Sequence, residues 1–428
     1  MRVTVLGLWH LGSVTAACLA AAGHDVVGLD TDDEIVGALR DGRAPLFEPG
    51  LDDLVGEGLL AGRLRFSSDP ADAFAGAQVV WVTIDTPVSD DDEADSAYVR
   101  AQIEAVQDSL PADALLLVSS QVPAGFTRAV AADLGVRAGY SPENLRLGKA
   151  IEVFCNPERV VVGVQDGRDR ERVARLLEPF TERIEWMSIE SAEMTKHALN
   201  GFLATSVTFA NELARLCEQV GADAKEVERG LKSEGRIGPR AYLAPGAAFA
   251  GGTLARDVRY LQGFGRDHGV ATPFFDGLLK SNEAHKRWVR DRVGEALDAV
   301  GAVGSPVVAV LGLTYKPGTS TLRRSLAVEL CTWLADQGVT VQAYDPGVEP
   351  SDPGLPAGTH LRLDARAALK GADVAIVATE WPDFAQLTAE DIVASMRAGH
   401  VIDQNWFLAA GLAGDPRITY VATGRGRR

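Results

Sequence analysis

The first thirty residues constrain the fold more than any other stretch of the chain. A short apolar run, Val3–Leu6, is followed by the turn GLWHLG at 7–12, a helical segment, and the strand HDVVGLD that ends at Asp30. Strand, tight turn, helix, strand and terminal acid together form the βαβ unit of a dinucleotide site. The amino end of the chain is therefore predicted to build a parallel sheet.

The turn differs at one position from the dinucleotide fingerprint G-x-G-x-x-G. Gly7 and Gly12 are present, but the middle glycine, which lets the backbone lie against a pyrophosphate, is Trp9. We expect Trp9 to point away from the cofactor, or the cofactor to sit differently. Asp30 can accept hydrogen bonds from a ribose diol, which favours NAD over its phosphorylated relative. The alternative is an ordinary βαβ unit that binds no nucleotide. The predicted cofactor-binding residues here are Gly7, Leu8, Trp9, His10, Leu11, Gly12 and Asp30.

The last third of the chain repeats the αβ pattern. Apolar strands are predicted over 307–313, 339–344, 374–379 and 400–403, with a helix over 325–338, which indicates a second parallel sheet. Its first strand–helix turn, TYKPGTSTLRRS, has Lys316, Arg323 and Arg324 in place of a dinucleotide fingerprint. Cations beside a helix start favour a phosphate, here that of a substrate. Helical patterns over 191–220 and 276–300 predict a connector between the two sheets, with apolar faces that suit a subunit interface.

Composition and charge limit the binding partners and the cellular location that we expect for the protein. The net charge of −17 argues against non-specific binding to nucleic acid or to an anionic membrane. No apolar run is long enough to span a bilayer and no signal peptide is visible, so a cytoplasmic protein is expected. The four cysteines are widely spaced and indicate reduced thiols. The acidic run Ser89–Asp95 lacks coordinating spacing, so we expect no metal site.

The stretch Pro245–Asp257, PGAAFAGGTLARD, makes the chain recognisable. A glycine-rich turn that runs into a helix favours an anion at the helix start. The stretch resembles the loop P-G-x-G-F-G-G-x-C-x-P-K-D of the UDP-glucose/GDP-mannose dehydrogenase family. Further blocks resemble that family in order along nearly the whole chain: RAPLFEPG at 43–50, DTP at 85–87, SPENLR at 141–146, Lys196 and Asn200, RIG at 236–238 and LGLTYKPGT at 311–319.

The resemblance implies an α/β fold of two Rossmann-like, doubly wound parallel-sheet domains joined by a central helical domain. The implied boundaries are 1–190 for NAD binding, 191–300 for the helical dimerisation domain with the loop 245–257, and 301–428 for nucleotide-sugar binding. It further implies an NAD-dependent oxidoreductase that acts on a nucleotide-activated sugar, most commonly a UDP-sugar, and that forms a homodimer.

The resemblance also assigns roles to single residues. Beyond the fingerprint, the cofactor residues are Thr86, Gln121, Arg256 and Arg323. The catalytic residues are Lys196, Asn200, Asp257, Thr253, Gln121 and Glu143. The substrate residues are Glu143, Leu145, Lys196, Asn200, Arg236, Tyr242, Gly251 and Lys316. From pattern alone, Thr86 and Gln121 could instead be strand-ending turn residues, and Lys196 and Asn200 the solvated stripe of a helix.

Three residues differ from the family's motifs at positions that the resemblance links to the reaction. The family oxidises a sugar alcohol twice, to a carboxylate, with two NAD molecules and a covalent thiohemiacetal on the loop cysteine. That cysteine is Thr253 here, the threonine of an S-T-V-P block is Gln121, and the second acid of S-P-E-x-x-x-E is Leu147. A thiol ionises near neutrality, whereas an alcohol needs an adjacent base, and none of the seven histidines stands in the loop.

These departures leave three hypotheses open. In the leading one, the protein removes a single hydride, or removes and returns it in a redox-neutral reaction. Full four-electron oxidation through a water is the second. A catalytically silent nucleotide-sugar-binding protein is the third.

Overall fold

The computed structural model describes residues 1–89, 93–301 and 305–425. The chain divides into two compact units, Met1–Leu199 and Asn200–Arg428. Of the acidic run at 89–95, residues 90–92 lie outside the described part of the chain.

The first unit is built on an eight-stranded sheet with strand order β3-β2-β1-β4-β5-β6-β7-β8. The strands are β1 Arg2–Leu6, β2 Asp25–Leu29, β3 Leu64–Ser67, β4 Val79–Val82, β5 Leu115–Val118, β6 Arg137–Tyr140, β7 Val160–Val164 and β8 Ile184–Met187. The helices are α1 His10–Ala21, α2 Asp33–Arg40, α3 Leu51–Leu60, α4 Pro70–Phe74, α5 Ser96–Glu104, α6 Phe126–Leu134, α7 Ala150–Cys155 and α8 Gly167–Leu177, with a 3-10 turn at Gln107–Ser109. The strands pair in parallel except for β6 with β7, which are antiparallel.

Alternating side chains of the central strands explain why helices cover both faces of this sheet. Val79 and Trp81 of β4 lie in one buried cluster with residues of α1 and α3. Val80 and Val82 lie in a second cluster with residues of α5 and α6. Because successive side chains of a strand point to opposite faces, a continuous apolar run requires a cover on each face.

The second unit repeats the strand order of the first six strands, as β11-β10-β9-β12-β13-β14, and each pairing is parallel. Its strands are β9 Val307–Leu311, β10 Thr340–Tyr344, β11 Thr359–Leu361, β12 Val374–Val377, β13 His400–Asp403 and β14 Thr419–Val421. Helix α9, Ile189–Val220, begins in the first unit and continues into the second. The further helices are α10 Ala224–Ser233, α11 Thr253–Asp267, α12 Pro273–Val300, α13 Leu326–Asp336, α14 Ala365–Leu369, α15 Ala389–Ser395 and α16 Ala409–Leu412, with a 3-10 turn at Pro382–Gln386.

The predicted fold class is therefore confirmed, with two parallel sheets of Rossmann type and long helices between them in the sequence. The helix predicted over 276–300 begins earlier, at Pro273, because a proline is well placed in the first turn of a helix. Within the described ranges, no helix combines the length and the apolar character that a membrane span requires.

The turn between β1 and α1 shows why its two glycines are needed. Gly7 has φ +91°, a conformation that favours glycine. A Cβ atom on Gly12 would lie 1.7 Å from the carbonyl oxygen of Gly7. Thr83, which follows β4, donates a hydrogen bond of 2.8 Å to the same carbonyl. Helix α1 can therefore pack this closely on the sheet only if residue 12 has no side chain.

This close packing predicts opposite effects for two glycine-to-alanine changes in helices of the first unit. Gly12→Ala should lower the free energy of unfolding by about 2 kcal/mol or more, because the helix must shift to admit the methyl group. Gly37→Ala, in α2 with open space around it, should be neutral or stabilise by about 0.5–1 kcal/mol. Urea unfolding of both variants checks this. Equal stability of the two would contradict the close packing of α1.

Candidate active site

The start of α1 is shaped to receive an anion. Trp9 is the N-cap residue of α1, and its side chain makes no hydrogen bond to the first N–H groups of the helix. No capping side chain therefore competes with an anion for these N–H groups. The backbone of Trp9 has φ −67°, which any residue adopts, and its side chain is 45% exposed. Tryptophan in place of the middle glycine therefore causes no backbone strain and does not fill the core. The residues of the turn fit a dinucleotide pyrophosphate.

Asp30 lies directly after β2, at the carboxyl end of the strand. Its carboxylate accepts the N–H of Leu8 at 2.7 Å and the N–H of Asp32 at 3.0 Å, and the residue stays partly exposed. Each carboxylate oxygen has further acceptor capacity beyond one such bond. Asp30 is thus placed to accept hydrogen bonds from a ribose diol.

The equivalent acid of the second sheet is used differently. Asp345 follows β10 and is 2% exposed. One of its oxygens accepts the N–H groups of Leu313 and Thr314, the hydroxyl of Thr314 and the indole N–H of Trp381. Asp345 is therefore occupied by the protein itself. Of these two acids, only Asp30 is placed for a ribose.

Thr86 and Gln121 follow neighbouring strands, β4 and β5, and the structure brings them together. The Thr86 hydroxyl donates a hydrogen bond of 2.7 Å to the carbonyl oxygen of Gln121, and both residues are buried. They lie beyond the carboxyl ends of parallel strands, where open α/β sheets bind their ligands.

Lys196 is buried and forms an ion pair with the partly exposed Glu143 in the first unit. The Lys196 Nζ lies 3.2 Å from Glu143 Oε1 and also donates to the Glu143 carbonyl oxygen at 2.5 Å. Glu143 Oε2 accepts the N–H of Leu145 at 2.9 Å. Lys196 is 6% exposed, so it does not belong to a solvated stripe of α9.

Asn200 and Asp257 form a buried polar pair in the second unit. Asn200 Nδ2 donates to Asp257 Oδ2 at 2.5 Å, and the residues are 5% and 0% exposed. Asp257 lies one turn into α11. Thr253 is the first residue of that helix, after Gly252 with φ +92°, and its side chain is exposed. Gly251 lies in the turn just before the helix, and Arg256 is partly buried in its first turn.

A pocket of about 420 Å³ opens in the second unit. Its wall includes the predicted substrate residues Tyr242 and Lys316, together with Tyr315, Lys286 and Arg290, which sequence reasoning missed. The other six predicted substrate residues do not line this pocket: Glu143, Leu145, Lys196, Asn200, Arg236 and Gly251. Arg236 is exposed and pairs with Glu234 at 3.0 Å, and Arg323 is exposed at the turn before α13.

Sequence reasoning also missed several buried or partly buried polar residues in each unit. Glu48 lies 2.9 Å from His10 Nε2 and accepts the N–H groups of Gly148 and Ala150. Glu193, fully buried on α9, accepts the first N–H groups of α6, and burial raises its pKa. In the second unit the missed residues are Asn211, Asn282, His285 and Asn405, which contact the loop before α11. For the residues on α9 and α12, the signal that could have found them was a polar residue on the apolar face of a predicted helix.

None of the four cysteines lies in the loop 245–257. All four are free of disulfides. Cys155 ends α7, and packs with Cys18 on the apolar cluster of the first sheet. A hydrogen bond from Cys18 lowers the pKa of Cys155 to about 7.

Comparison with known proteins agrees with this geometry along the whole chain. The UDP-glucose/GDP-mannose dehydrogenase family matches with its NAD binding domain at 1–181, its central domain at 190–284 and its UDP binding domain at 309–409. The chain belongs to this family.

Curated relatives and solved structures give the same result. The UDP-glucose 6-dehydrogenase of Rhizobium meliloti is 34% identical, over 94% of each chain. That of Pseudomonas aeruginosa is 33% identical, over 100% of this chain and 98% of its own. The UDP-glucose dehydrogenase structure from Pyrobaculum islandicum superposes with a TM-score of 0.86 at 30% identity, over 100% of this chain and 98% of that one.

The protein is accordingly an NAD-dependent oxidoreductase of the nucleotide-sugar dehydrogenase family, as predicted, and NAD is its cofactor. Among the described residues, no three acids, histidines or cysteines gather in a way that could hold a metal ion.

His285 provides a test of the buried loop contacts. Burial lowers its pKa from 6.5 to about 4, although its hydrogen bond to the Gly246 carbonyl opposes the shift. Between these two values the unfolded imidazole binds a proton that the folded one does not. Stability should therefore fall as the pH drops from 6.5 to 4, by about 3 kcal/mol from this group.

Urea unfolding between pH 4.5 and 7 measures this contribution. His285→Gln should show a flatter loss of stability towards acid than the wild type. His268→Gln, at an exposed histidine just after α11, should leave the profile unchanged. Parallel profiles for His285→Gln and the wild type would contradict a neutral, buried His285.

Proposed function

We propose that the protein removes one hydride from a carbinol carbon of a UDP-linked sugar and lacks the covalent second oxidation. The observation that carries the proposal is the loop at α11. The buried pair Asn200–Asp257 is present there, whereas the residue at the thiol position is Thr253. The acid–base residues of the first oxidation are thus retained without the nucleophile of the second.

The proposed roles follow from the chemistry of each group. When bound, NAD supplies the hydride acceptor. Asp257, a carboxylate that accepts an amide hydrogen bond, takes the proton of the sugar hydroxyl. Lys196 supplies a buried positive charge, and Asn200 an amide donor, where negative charge develops on oxygen.

The second oxidation is the step for which the chain lacks a suitable nucleophile. A covalent adduct on an alcohol needs an adjacent base to remove its proton. Thr253 is exposed at the start of α11, and the stretch 245–257 contains no histidine and one acid, Asp257, which is buried and bonded to Asn200. Glu143, the remaining acid of its block, is already paired with Lys196. We therefore propose that the reaction stops at a carbonyl or returns the hydride.

The residues that line the pocket of the second unit support the proposal that the substrate carries a nucleotide diphosphate. Lys286, Arg290 and Lys316 bring positive charge to its wall, and Tyr242 and Tyr315 bring aromatic surface. Cations bind phosphates and aromatic rings stack on bases. UDP is the proposed nucleotide because the UDP binding domain of the family matches this part of the chain.

Counting NADH per sugar while weighing the product tests the proposal. With UDP-glucose and NAD, we expect at most one NADH per sugar and a carbonyl or rearranged product. Thr253→Cys should restore formation of the carboxylate, with two NADH, because a thiol can form the covalent adduct. Thr253→Ser, which keeps a hydroxyl, is the matched control and should behave as the wild type.

Each other outcome has a defined meaning. Two NADH and a uronic acid from the wild type would show that Thr253 is bypassed and would overturn the single-hydride proposal. Failure to turn over UDP-glucose, GDP-mannose and their N-acetyl analogues, with NAD binding intact, would favour the silent binding protein.

We further propose that the protein is a homodimer through α9, with its domains divided at 190 and 300. Phe202, Phe209 and Leu216 are 69%, 51% and 60% exposed, and they lie seven residues apart on one helix face. Val220 extends this stripe and is 78% exposed. Large exposed apolar stripes are typical of protein interfaces.

Light scattering after size exclusion measures the assembly. The wild type should have twice the mass of the chain, and Phe209→Asp should shift it to the monomer, because a charge would be buried at the centre of the stripe. Leu363→Asp, at an apolar residue that is 93% exposed in the second sheet's loops, is the control and should remain dimeric. A dimer that survives Phe209→Asp would place the interface elsewhere.

A further inference from the structure

Three buried side chains and one partly buried side chain hold the backbone of the segment Gly246–Phe249. The segment belongs to a stretch of irregular backbone, 241–250, which has no regular hydrogen bonding of its own. It leads directly into α11, the helix that carries Thr253 and Asp257. Its shape therefore depends on what contacts it.

Asn211 of α9 contacts two consecutive residues of the segment. Its Oδ1 accepts the N–H of Gly246 at 2.9 Å, and its Nδ2 donates to the carbonyl of Ala247 at 3.0 Å. Asn211 is 2% exposed. One side chain thus fixes a donor and an acceptor of the turn at the same time.

Helix α12 holds the other end of the segment in the same way. Asn282 Oδ1 accepts the N–H of Phe249 at 3.1 Å, and Asn282 Nδ2 donates to the carbonyl of Phe249 at 2.9 Å. His285, one helical turn further on, contacts the Gly246 carbonyl through Nε2 at 2.8 Å. Residues three apart lie on one helix face, so α12 presents both groups together.

Asn405 joins the segment to the wall of the pocket. Its Oδ1 accepts the N–H of Ala247 at 2.7 Å, and Asn405 itself lines the pocket, as Glu380 does. A Cβ atom on Gly246 would lie 2.3 Å from Asn405 Oδ1. Glycine at 246 is therefore required for this contact.

We propose that Asn211, Asn282, His285 and Asn405 are positioning residues that hold the loop before α11 in its catalytic shape, and that Asn405 couples this shape to occupancy of the nucleotide pocket. The inference rests on the proposed function and names the residues that hold its site in place. Amide side chains suit this role, because each supplies a donor and an acceptor to a backbone that would otherwise be buried unpaired. A loop held at both ends restricts the first turn of α11, where shifts of about an ångström change rates strongly.

Loss of Asn282 should separate catalysis from nucleotide binding, because Asn282 does not line the pocket. Asn282→Ala should lower kcat at least about tenfold, while the Kd for UDP, measured by calorimetry, stays within about threefold. Hydrogen exchange of the peptide 244–252 should become faster. Asn405→Ala should weaken UDP binding as well and abolish the protection that UDP gives to this peptide.

Two controls separate positioning from stability. Val293→Ala removes a buried side chain of the same helix that packs in the cluster of the second sheet, away from the loop contacts. It should lower the melting temperature and leave kcat unchanged. His285→Gln keeps an N–H donor for Gly246 and should retain kcat within about threefold, whereas His285→Leu should behave like Asn282→Ala.

Wild-type kcat and exchange in Asn282→Ala, or an equal fall of kcat in Val293→Ala, would overturn the proposal. The result is independent of the substrate assay, because UDP binding and hydrogen exchange are read without turnover. If the wild type oxidises no nucleotide-sugar, UDP-dependent protection of 244–252 that is lost in Asn405→Ala still supports the coupling. Its persistence in that variant contradicts it.

Discussion

The structure depends on close backbone approaches at the switch point of each sheet. A Cβ atom on Gly7 would lie 2.8 Å from Ile84, and one on Gly312 would lie 2.5 Å from Thr379. In both places the first strand of the sheet turns next to the end of a neighbouring strand. This geometry opens a crevice beyond the carboxyl ends of the strands, where α/β sheets bind their ligands. The two units share the strand order and differ in what surrounds the crevice.

The acid that follows β2 and the acid that follows β10 have different surroundings, and this distinguishes the two crevices. Asp30 accepts two backbone N–H groups and stays partly exposed, whereas Asp345 is buried and surrounded by donors of its own unit. The first crevice can therefore bind a ribose diol through its acid. Near the second crevice lies a pocket with lysine, arginine and tyrosine side chains, which suits a diphosphate and a base. A repeated scaffold thus serves two different ligands through the residues at its edges.

Each unit contains one polar pair that involves a buried residue of α9. Lys196 pairs with Glu143, and Asn200 pairs with Asp257. Burying a polar group is costly unless it is hydrogen-bonded, so each pair needs its partner in place. The same requirement explains the asparagines that hold the loop before α11. The solvated-stripe interpretation of Lys196 and Asn200 was open from their spacing alone, and their burial excludes it.

The sequence by itself determined the fold class, the cofactor and the family, because apolar periodicity, turn glycines and a terminal acid are local signals that a chain carries in order. It also located Thr253 and Asp257, since both lie in one contiguous block. Only the tertiary structure decided that Asp345 is occupied internally and that Asn211, Asn282, His285 and Asn405 meet at one loop. These residues are up to 194 positions apart in the chain, as the numbers 211 and 405 show. No local pattern brings them together, because the contact arises only when helices and sheet pack around the same backbone.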